Sequence, residues 1–360
     1  MWIVCPMAGV GKRMQPFTYT KPKAFIKLSR KKIIDHLLDK LKKNFPKGTN
    51  ILFIIGYKGR QVAEYIKNHY SDYYSLHFIE QKPLGLEDDV PYFSGLSDAI
   101  LLAKDFIKDE DMFIIFSDRL PTRDYSSMLL TNNEHQFDIL INVQQVEHPE
   151  FYGVVSCDEK GFVTKIIEKP KKFVSNLAVS GAYIVKKSVS SMFFELLEDQ
   201  SKIPLENGQE HLLAPIIQSI IDSGKRVVIS EMHDIILDFG RPESLLEGNR
   251  FLLSELQLSD PYYESLKKKG NLISTKIIPP VAIGKNSKIS ESIIGPNVSI
   301  GDDAEINQCI LSETVIGDNT NLNKIITSNS IIGDFSTLED LIKDKIIIGD
   351  SSFISTSKKK

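Results

Sequence analysis

Residues 4–25 read VCPMAGVGKRMQPFTYTKPKAF, and this stretch is the most informative part of the sequence. An apolar run at the extreme N-terminus leads into a turn that contains Gly9 and Gly11. Glycine lets the backbone turn tightly, and consecutive N–H groups in such a turn form a nest for an anion. Arg13 follows at once and Lys23 lies ten residues further on. Two cations beside a nest suit a polyphosphate, although the spacing alone also fits an ordinary strand-end turn with solvated basic residues.

Two common glycine-rich motifs do not match this loop. A dinucleotide-binding fingerprint has a third glycine where Met14 stands here, and a helix that runs on from the turn. Pro16 and Pro22 would interrupt that helix. A Walker phosphate loop has glycine where Pro6 stands and Ser or Thr where Arg13 stands. The sequence therefore predicts an extended, cationic loop of another kind.

Residues 9–18, GVGKRMQPFT, together with Pro22 and Lys23, resemble the signature of sugar-1-phosphate nucleotidyltransferases, with Lys12 in place of the usual Thr. The resemblance extends over nearly the whole chain and is greatest to glucose-1-phosphate thymidylyltransferase-like proteins with a hexapeptide-repeat tail. It implies a cytoplasmic enzyme of nucleotide-sugar and surface-polysaccharide biosynthesis. The implied substrates are an NTP, with dTTP or UTP favoured, and a sugar 1-phosphate, with glucose 1-phosphate favoured. The implied products are an NDP-sugar and pyrophosphate.

The composition is that of an ordinary soluble protein. The chain has 360 residues, 42% of them hydrophobic and 25% charged, which is enough for two domains and a sizeable core. The net charge of −3 gives no reason to expect a nucleic-acid partner. No apolar run is long enough for a membrane span, and the chain opens directly on a predicted strand, so we expect neither a membrane partner nor a signal peptide. Cys5, Cys157 and Cys309 show no metal or disulfide spacing, which suits a reducing cytoplasm.

Apolar runs and helical periodicity alternate through the first part of the chain. This alternation predicts an α/β, Rossmann-like domain with a mostly parallel sheet over residues 1–262, followed by a linker or helix end at 259–271. Phosphate chemistry is expected at the carboxyl ends of the strands. The predicted strands are Trp2–Met7, Ile51–Ile55, Met112–Phe116, Asp138–Val146, Val154–Cys157, Val163–Glu168 and Gly181–Val185, and the predicted helices are Ile33–Leu41, Gln61–His69, Leu96–Phe106, Ser188–Leu197, Leu212–Ser223 and Glu243–Leu256.

A repeat replaces this alternation after residue 271. Glycines recur every sixteen residues, each preceded by Ile and followed by Asp, and a second row of Ile or Leu lies six residues after each of those Ile. Such a period indicates a solenoid whose stacked coils share one apolar core. The unit resembles the hexapeptide repeat of left-handed parallel β-helices, so we expect about five coils over residues 272–353 and a disordered tail over 354–360. The glycines are Gly301, Gly317, Gly333 and Gly349, with Gly284 one residue out of step, and the second row is Ile289, Ile306, Leu322 and Leu338.

Two aspartates at predicted strand ends are candidate ligands for Mg²⁺. Asp118 follows the strand Met112–Phe116, and Asp238 lies in a segment that resembles a family Trp-x-Asp-x-Gly-Thr motif. Mg²⁺ binds through one or two carboxylates plus water and substrate phosphates. The resemblance also implies that Arg13 and Lys23 are catalytic. The implied nucleotide-binding residues are Met7, Ala8, Gly9, Gly11, Gln81 and Gly95.

The sugar-phosphate residues implied by the resemblance lie in later strands. Glu168 would accept hydrogen bonds from sugar hydroxyls, Lys169 would hold the sugar phosphate, and the Val179 backbone would contact the sugar. Tyr152 and Gly153 belong to a matching Tyr-Gly-Val segment. Residues 86–94, which contain three consecutive acidic residues, are predicted to be an insertion that serves as a mobile lid or an oligomer contact.

Two further hypotheses differ from the main one in class. Lys12, Ser117, Arg241 and the acidic insertion depart from the family pattern and favour a catalytically weak regulatory or scaffold subunit. The repeat tail favours a bifunctional enzyme whose β-helix transfers acyl groups. Against that activity, residues 272–360 contain no histidine, the most common general base near neutral pH. We therefore expect a structural β-helix and a homo-oligomer.

Overall fold

The computed structural model describes residues 1–107, 109–134, 136–206, 208–231, 236–256 and 272–356. The chain packs into two compact units, one formed by residues 1–10 with 37–236 and the other by residues 11–36 with 237–360. The cationic loop thus groups with the C-terminal residues, whereas the sequence places it in a domain of residues 1–262. The predicted linker at 259–271 lies outside the described residues. No helix in the described part of the chain is long and apolar enough to cross a membrane.

Up to residue 256, the longer strands follow the apolar runs of the sequence, whereas short ones such as Lys31–Lys32 do not. The strands are β1 Trp2–Met7, β2 Lys27–Leu28, β3 Lys31–Lys32, β4 Asn50–Ile55, β5 Ser75–Glu80, β6 Gly85–Glu87, β7 Val90–Tyr92, β8 Met112–Ile115, β9 Arg119–Pro121, β10 Ile139–Gln145, β11 Gly153–Cys157, β12 Val163–Glu168, β13 Leu177–Val185, β14 Val227–Glu231 and β15 Ile236–Asp238.

The first unit is built on one mixed sheet with the strand order β12-β11-β13-β8-β1-β4-β5, and β10 pairs with both β13 and β14. The pairs β1/β4, β1/β8 and β4/β5 are parallel, and β13 runs antiparallel to β8. Ile3, Val4 and Cys5 of β1 are fully buried. A parallel strand covered on both faces needs such a continuous apolar run. The predicted α/β fold is confirmed.

In the described part of the chain, six helices cover the predicted apolar periodicities, with ends that differ from the predicted ones by a few residues. A seventh, Ser126–Glu134, was not predicted, because its apolar residues 128–130 are consecutive and show no helical repeat. The helices are α1 Ile33–Asn44, α2 Gly59–Tyr70, α3 Leu96–Leu101, α4 Ser126–Glu134, α5 Lys187–Ser201, α6 Leu213–Asp222 and α7 Pro242–Ser254. The predicted helix over Leu96–Phe106 is wrong in its second half, which forms successive turns after α3.

The predicted acidic insertion forms a tight hairpin. Its strands β6 and β7 pair in antiparallel fashion, with Glu87 opposite Val90. Asp88 and Asp89 form the connection between them, and both have positive φ angles, 50° and 60°. Two consecutive residues in that region are characteristic of a two-residue hairpin turn, where Asp is among the tolerated residues. The turn therefore accounts for two of the three consecutive acidic residues.

The residues from 272 onward wind into a parallel β-helix, as predicted. Its strands are β16 Leu272–Ile273, β17 Lys276–Ile277, β18 Val281–Ile283, β19 Lys288–Ser290, β20 Ile293–Ile294, β21 Val298–Ile300, β22 Glu305–Asn307, β23 Ile310–Ile316, β24 Asn321–Ile332, β25 Thr337–Ile342, β26 Ile347–Ile348 and β27 Phe353–Ser355. Strand β27 includes residues 354 and 355, which the sequence assigned to a disordered tail; residues 357–360 lie outside the described part.

The register of the coils matches the predicted repeat. The column Ile283, Ile300, Ile316, Ile332, Ile348 stacks in parallel register. The column Leu272, Ile289, Ile306, Leu322, Leu338, Ile354 does the same, which gives five steps of sixteen or seventeen residues. These columns contribute to one continuous apolar core. One coil alone could not bury its apolar side chains, so the stack is the stable unit.

Candidate active site

The first glycine turn begins at the carboxyl edge of the main sheet. Met7 ends β1, and the Ala8 carbonyl accepts a hydrogen bond from the Tyr57 N–H at 2.9 Å. Gly56 lies so close that a Cβ on it would be 2.7 Å from the Ala8 carbonyl oxygen. Sequence analysis did not select Gly56 or Tyr57, although a glycine directly after a buried strand was a usable signal. They hold the backbone at Ala8 in place, while Gly9 is exposed.

The same edge carries two more of the predicted residues. Strands β1, β4, β5 and β8 run parallel, so their carboxyl ends share one edge of the sheet. Gln81 directly follows β5, and Asp118 lies three residues beyond the end of β8. The structure therefore brings Ala8, Gln81 and Asp118 to one edge of the first unit. Ligands of open α/β sheets bind at this edge.

Gln81 is buried and tied to Gly95. Its amide nitrogen donates to the Gly95 carbonyl at 3.1 Å and to the Ser94 hydroxyl at 3.3 Å. Gly95 has φ 113°, and a Cβ there would meet the His211 carbonyl oxygen at 2.6 Å. His211 in turn donates its N–H to the Ser94 carbonyl at 2.7 Å. The predicted pair Gln81 and Gly95 is thus one hydrogen-bonded group, with His211 as a supporting residue that sequence analysis missed.

The cationic loop, described within the second unit, is built from three single 3₁₀ turns, Lys12–Met14, Phe17–Tyr19 and Lys23–Phe25. Gly11 has φ 72°, and its carbonyl accepts the Thr18 hydroxyl at 3.0 Å and the Met14 N–H at 2.8 Å. A Cβ on Gly11 would lie 3.7 Å from Lys23 Cδ. The loop therefore closes on itself and brings Gly11 and Lys23 together.

Arg13 and Asp238 also approach one another within the second unit. Asp238 ends β15, and its Oδ1 accepts the Gly240 N–H at 2.8 Å. A Cβ on Gly240 would lie 2.9 Å from that Oδ1 and 3.5 Å from Arg13 Nη2. A guanidinium beside a carboxylate suits a site that binds both phosphate and a cation, because each group attracts one of the two.

The predicted sugar-phosphate residues meet on neighbouring strands of the first unit. Gly153 pairs with Glu168 across β11 and β12, and Val179 Cγ2 lies 3.7 Å from the position of a Cβ on Gly153. Glu168 Oε2 lies 2.8 Å from that same position, so a side chain on residue 153 would displace the carboxylate. Gly153, Glu168 and Val179 therefore form one cluster.

Lys169 directly follows Glu168 of this cluster, and a backbone hydrogen bond fixes the turn from which its side chain projects. Its backbone has φ 45°, and its N–H donates to the Tyr152 carbonyl at 2.9 Å. Its side chain is 63% exposed, with Nζ 3.8 Å from Glu168 Oε1. The turn therefore places an accessible ammonium beside the Glu168 carboxylate.

Arg119 is a further basic residue at this cluster. Its guanidinium carbon lies 5.2 Å from the centroid of the Tyr152 ring, and its Cγ would be 2.7 Å from a Cβ on Gly181. Burial raises the pKa of Tyr183, with the charge of Glu168 raising it further and that of Arg119 lowering it, so all three groups are neighbours. Sequence analysis missed Arg119, although it directly follows Asp118 at a strand end.

The two predicted metal ligands belong to different units, Asp118 to the first and Asp238 to the second. Burial raises the pKa of the Cys5 thiol and the negative charge of Asp118 raises it further, which places Asp118 near β1. Among the described residues there is no cluster of three or more His, Cys, Asp or Glu side chains that could hold a metal ion. A site for Mg²⁺ needs only one or two carboxylates when substrate phosphates complete it, so each aspartate has the required chemistry.

Comparison with known proteins identifies the family. The nucleotidyl transferase family model matches residues 7–255, which include every predicted site residue. The chain belongs to the nucleotidyl transferase family. This nucleotidyltransferase is 29% identical over 266 residues to the low-salt glycan biosynthesis nucleotidyltransferase Agl11 of Haloferax volcanii, which covers 73% of this chain and 67% of that protein. It is 28% identical over 264 residues to the UTP–glucose-1-phosphate uridylyltransferase AglF of the same organism, covering 71% of this chain and 98% of AglF.

A longer relative and a solved structure extend the comparison. The nucleotidyltransferase is 29% identical over 273 residues to the bifunctional protein GlmU of Methanocaldococcus jannaschii; the match covers 75% of this chain but only 59% of GlmU. The structure of UDP-glucose pyrophosphorylase from Acinetobacter baumanii superposes with a TM-score of 0.55 at 20% identity, covering 74% of this chain and 98% of that one. The structural match supports the fold of the catalytic part.

Proposed function

We propose that this nucleotidyltransferase joins a nucleoside triphosphate to a sugar 1-phosphate, with UTP or dTTP and glucose 1-phosphate as the favoured pair. The observation that carries the proposal is the cluster of Gly153, Glu168 and Val179 with the adjacent Lys169 ammonium. A carboxylate suits sugar hydroxyl donors, and an accessible ammonium suits a phosphate. The name of the relative AglF includes the same sugar phosphate.

The reaction is an in-line displacement at the α-phosphorus. An oxygen of the sugar phosphate forms a bond to the α-phosphorus while the bond to the β-phosphate bridging oxygen breaks, and pyrophosphate leaves. Such a transfer depends on positioning and on stabilisation of charge. We assign the triphosphate to the Gly9–Gly11 backbone with Arg13 and Lys23. We assign the base to Gln81 and Gly95, because the Gln81 amide is held in a fixed orientation.

Asp118 and Asp238 are the proposed ligands of Mg²⁺, each a hard oxygen donor next to a strand end. When bound, the ion would neutralise phosphate charge and orient the leaving pyrophosphate. Within the protein, the Asp238 carboxylate is oriented by the Gly240 N–H at 2.8 Å, and Arg13 lies on the same side of that glycine.

The cellular setting and the assembly are also proposals. The three cysteines are free thiols, which fits a reducing compartment, and we propose the cytoplasm. We further propose a homo-oligomer with contacts from residues 272–353. Four isoleucines form one surface column of the β-helix at 38–77% exposure: Ile293, Ile310, Ile326 and Ile342. An exposed apolar row of this kind is suited to a second copy of the chain.

The test is a pyrophosphate-release screen over four NTPs and several sugar 1-phosphates at saturating Mg²⁺. We expect one pyrimidine NTP with glucose 1-phosphate to give the highest rate.

Asp118→Asn and Asp238→Asn should each abolish turnover while circular dichroism stays unchanged, and Asp72→Asn, on an exposed residue, serves as the control. Near-normal turnover in either of the first two variants would refute the metal assignment, and no turnover with any pair would favour the scaffold hypothesis.

A further inference from the structure

The four aspartates that follow the repeat glycines form a line across the coils of the β-helix. We call Asp302, Asp318, Asp334 and Asp350 the aspartate ladder. In each step Oδ1 accepts a backbone N–H from the preceding coil, at 2.7 Å from Lys285, 2.8 Å from Asp302, 2.9 Å from Asp318 and 2.8 Å from Asp334. The backbone hydrogen bonds hold the four carboxylates in register.

The glycine before each aspartate lets the coils approach this closely. A Cβ on Gly317 would lie 2.3 Å from Asp334 Oδ1 and 2.5 Å from the Asp334 nitrogen. No real Cβ fits at such distances, so the Gly-Asp pair follows from the coil geometry. That geometry accounts for Oδ1 as an acceptor, but it does not require a negative charge, because an Asn would accept the same hydrogen bond.

Lys21 and Lys27, in the segment of residues 11–36 that contains the cationic loop, offset part of this charge. Lys27 Nζ lies 2.8 Å from Asp302 Oδ2 and 2.7 Å from Asp318 Oδ2. Lys21 Nζ contacts Asp334 Oδ2 and lies 3.2 Å from Asp350 Oδ1. Each lysine therefore bridges two successive coils. The side chains of Lys21 and Lys27 are only 17% and 24% exposed, so these pairs are less screened than ordinary surface ion pairs.

Contacts other than ion pairs also hold residues 16–29 against the aspartate ladder at both ends of this segment. Pro16 packs against the last repeat glycine, where a Cβ on Gly349 would be 3.0 Å from Pro16 Cβ. The Ser29 N–H donates to the Ser299 hydroxyl at 3.1 Å. The Thr20 hydroxyl donates to Asp350. Residues 16–29 thus run along the ladder from its last coil toward its first.

The lysines on either side of Pro22 have different surroundings. Pro22 is extended, with φ −64° and ψ 146°. The proline ring fixes φ at Pro22 and restricts the residue before it, so the short backbone between Lys21 and Lys23 has little freedom. Lys21 lies against the ladder, whereas Lys23 packs against Gly11, with its Cβ 3.6 Å from the position of a Cβ on that glycine. The contacts that hold Lys21 therefore also set the direction of Lys23.

We propose that the aspartate ladder is a positioning element of the active site. By holding Lys21 and Lys27, it fixes the loop so that Lys23 and Arg13 face the triphosphate. The inference rests on the proposed function for its effect on catalysis, but the immobilisation of the loop can be measured without substrate. It gives the β-helix a role in nucleotidyl transfer in addition to the proposed role in assembly.

The experiment compares the full-length protein with two double variants that each remove two negative charges, Asp302→Asn with Asp318→Asn and Asp334→Asn with Asp350→Asn. Asn keeps the acceptor for the backbone N–H and removes only the charge. Asp344→Asn is the matched control, because Asp344 Oδ1 accepts the Ser328 N–H at 3.1 Å from the preceding coil in the same way, with no loop lysine as a partner. Amide hydrogen exchange of peptides spanning residues 12–30 is the first measurement.

We expect exchange in that segment to become about tenfold faster in both double variants and to stay unchanged in Asp344→Asn, since local opening sets the rate. The second measurement is the rate of nucleotidyl transfer with the NTP and the sugar 1-phosphate that give the highest rate in the substrate screen. Misplacement of catalytic groups by about 1 Å can cost a hundredfold, so kcat should fall about tenfold to a hundredfold while KM for the sugar 1-phosphate stays the same. Lys21→Met should reproduce the loss, and combining it with Asp334→Asn and Asp350→Asn should add little.

The outcomes separate the two proposals. Unchanged amide hydrogen exchange of residues 12–30 in both double variants, or equally faster exchange in Asp344→Asn, would overturn the proposal that the aspartate ladder positions the loop. Faster exchange with unchanged kcat would overturn its catalytic part. A wild-type protein without any nucleotidyl transfer would refute the proposed function, and the exchange comparison would then still decide whether the ladder immobilises the loop.

Discussion

Arg13 lies on the loop beside Gly240 and Asp238. We propose that its guanidinium stabilises negative charge on the NTP phosphates in the transition state. Removing one oriented donor to transition-state charge lowers a rate by about 10²–10³. We expect Arg13→Ala to reduce kcat by that order, with a smaller change in apparent NTP affinity. The measurement is steady-state kinetics with Arg60→Ala, an exposed arginine of α2, as the control. A change confined to KM would make Arg13 a uniform binder of ground and transition states.

Lys169 projects from a left-handed turn beside Glu168 and faces solvent. Its position next to Gly153 and Glu168, which we propose bind the sugar, motivates a role with the sugar phosphate and none with the nucleotide. Lys169→Ala should weaken sugar 1-phosphate affinity and leave NTP affinity unchanged in calorimetric titrations. Lys165→Ala, on an exposed position of β12, the strand that ends just before Lys169, is the matched control. Loss of NTP affinity in Lys169→Ala would reverse the assignment.

At the scale of elements, the ion pairs between the loop and the β-helix make stability depend on pH at both extremes. Burial alone would raise the pKa of Asp302, but hydrogen bonds from Lys27 and the Lys285 N–H outweigh it and hold the pKa below its usual 3.8. Burial alone would lower the pKa of Lys27, but its bonds to Asp302 and Asp318 outweigh it and hold the pKa above 10.5.

The sign of each contribution follows from linkage. The stabilisation of the folded state by the Asp302 ion pair is complete above the unfolded-state pKa of Asp302. It is lost as the pH falls through the lower folded-state pKa. The stabilisation of the folded state by the Lys27 ion pairs is complete below the ordinary lysine pKa of 10.5. It is lost as the pH rises through the higher folded-state pKa. We therefore expect the unfolding free energy of wild type to exceed that of Lys27→Met by a constant amount at intermediate pH. The difference should shrink in strong acid and in strong alkali.

Urea unfolding of both proteins across the pH range measures this difference. Lys324→Met is the control, because the ion pair of Lys324 with Asp340 is long, at 3.8 Å, and more exposed. A difference between wild type and Lys27→Met that grows toward acid would contradict the assignment of the low Asp302 pKa to Lys27.

On the scale of the whole molecule, the exposed isoleucine column of the β-helix predicts self-association. Light scattering should give a mass above the 40.6 kDa of one chain. Ile310→Lys combined with Ile326→Lys, in the middle of the column, should lower the measured mass to that of one chain. Ile273→Lys, exposed but outside the column, should leave it unchanged. A wild-type protein that already has the mass of one chain would exclude the homo-oligomer.

Acyl transfer is the second activity that the repeat tail could suggest, and the relative GlmU is named a bifunctional protein. Residues 272–360 contain no histidine, and a carboxylate such as Asp302 would be a weak base at neutral pH. Its depressed pKa makes it weaker still. We expect no release of free CoA when the full-length protein is incubated with acetyl-CoA and a sugar 1-phosphate carrying a free amine. A thiol-reactive dye gives the readout, and measurable release would assign catalysis to the β-helix.

Features with a fixed period were determined by the sequence itself. The buried run Ile3–Cys5 and the Ile columns of the coils follow from side-chain spacing along one segment, which backbone geometry dictates locally. The closeness of Gly11 and Lys23 likewise depends on a segment of thirteen residues in which Gly11 permits a positive φ and two prolines limit the conformations. Hence the α/β fold and the β-helix could be predicted without coordinates, whereas the candidate site residues came from the resemblance of their motifs to a known family.

Only the tertiary structure decided which distant groups became partners. Lys21 and Lys27 meet aspartates that are 275 to 329 residues further along the chain. Gly56 supports Ala8, and Arg119 stacks near Tyr152, through contacts that no local pattern encodes. Charged and small side chains have many possible partners in an unfolded chain, and the packing of whole elements selects among them. For that reason the repeat aspartates are recognisable from the sequence as coil residues, whereas their contacts with the cationic loop emerge only from the folded chain.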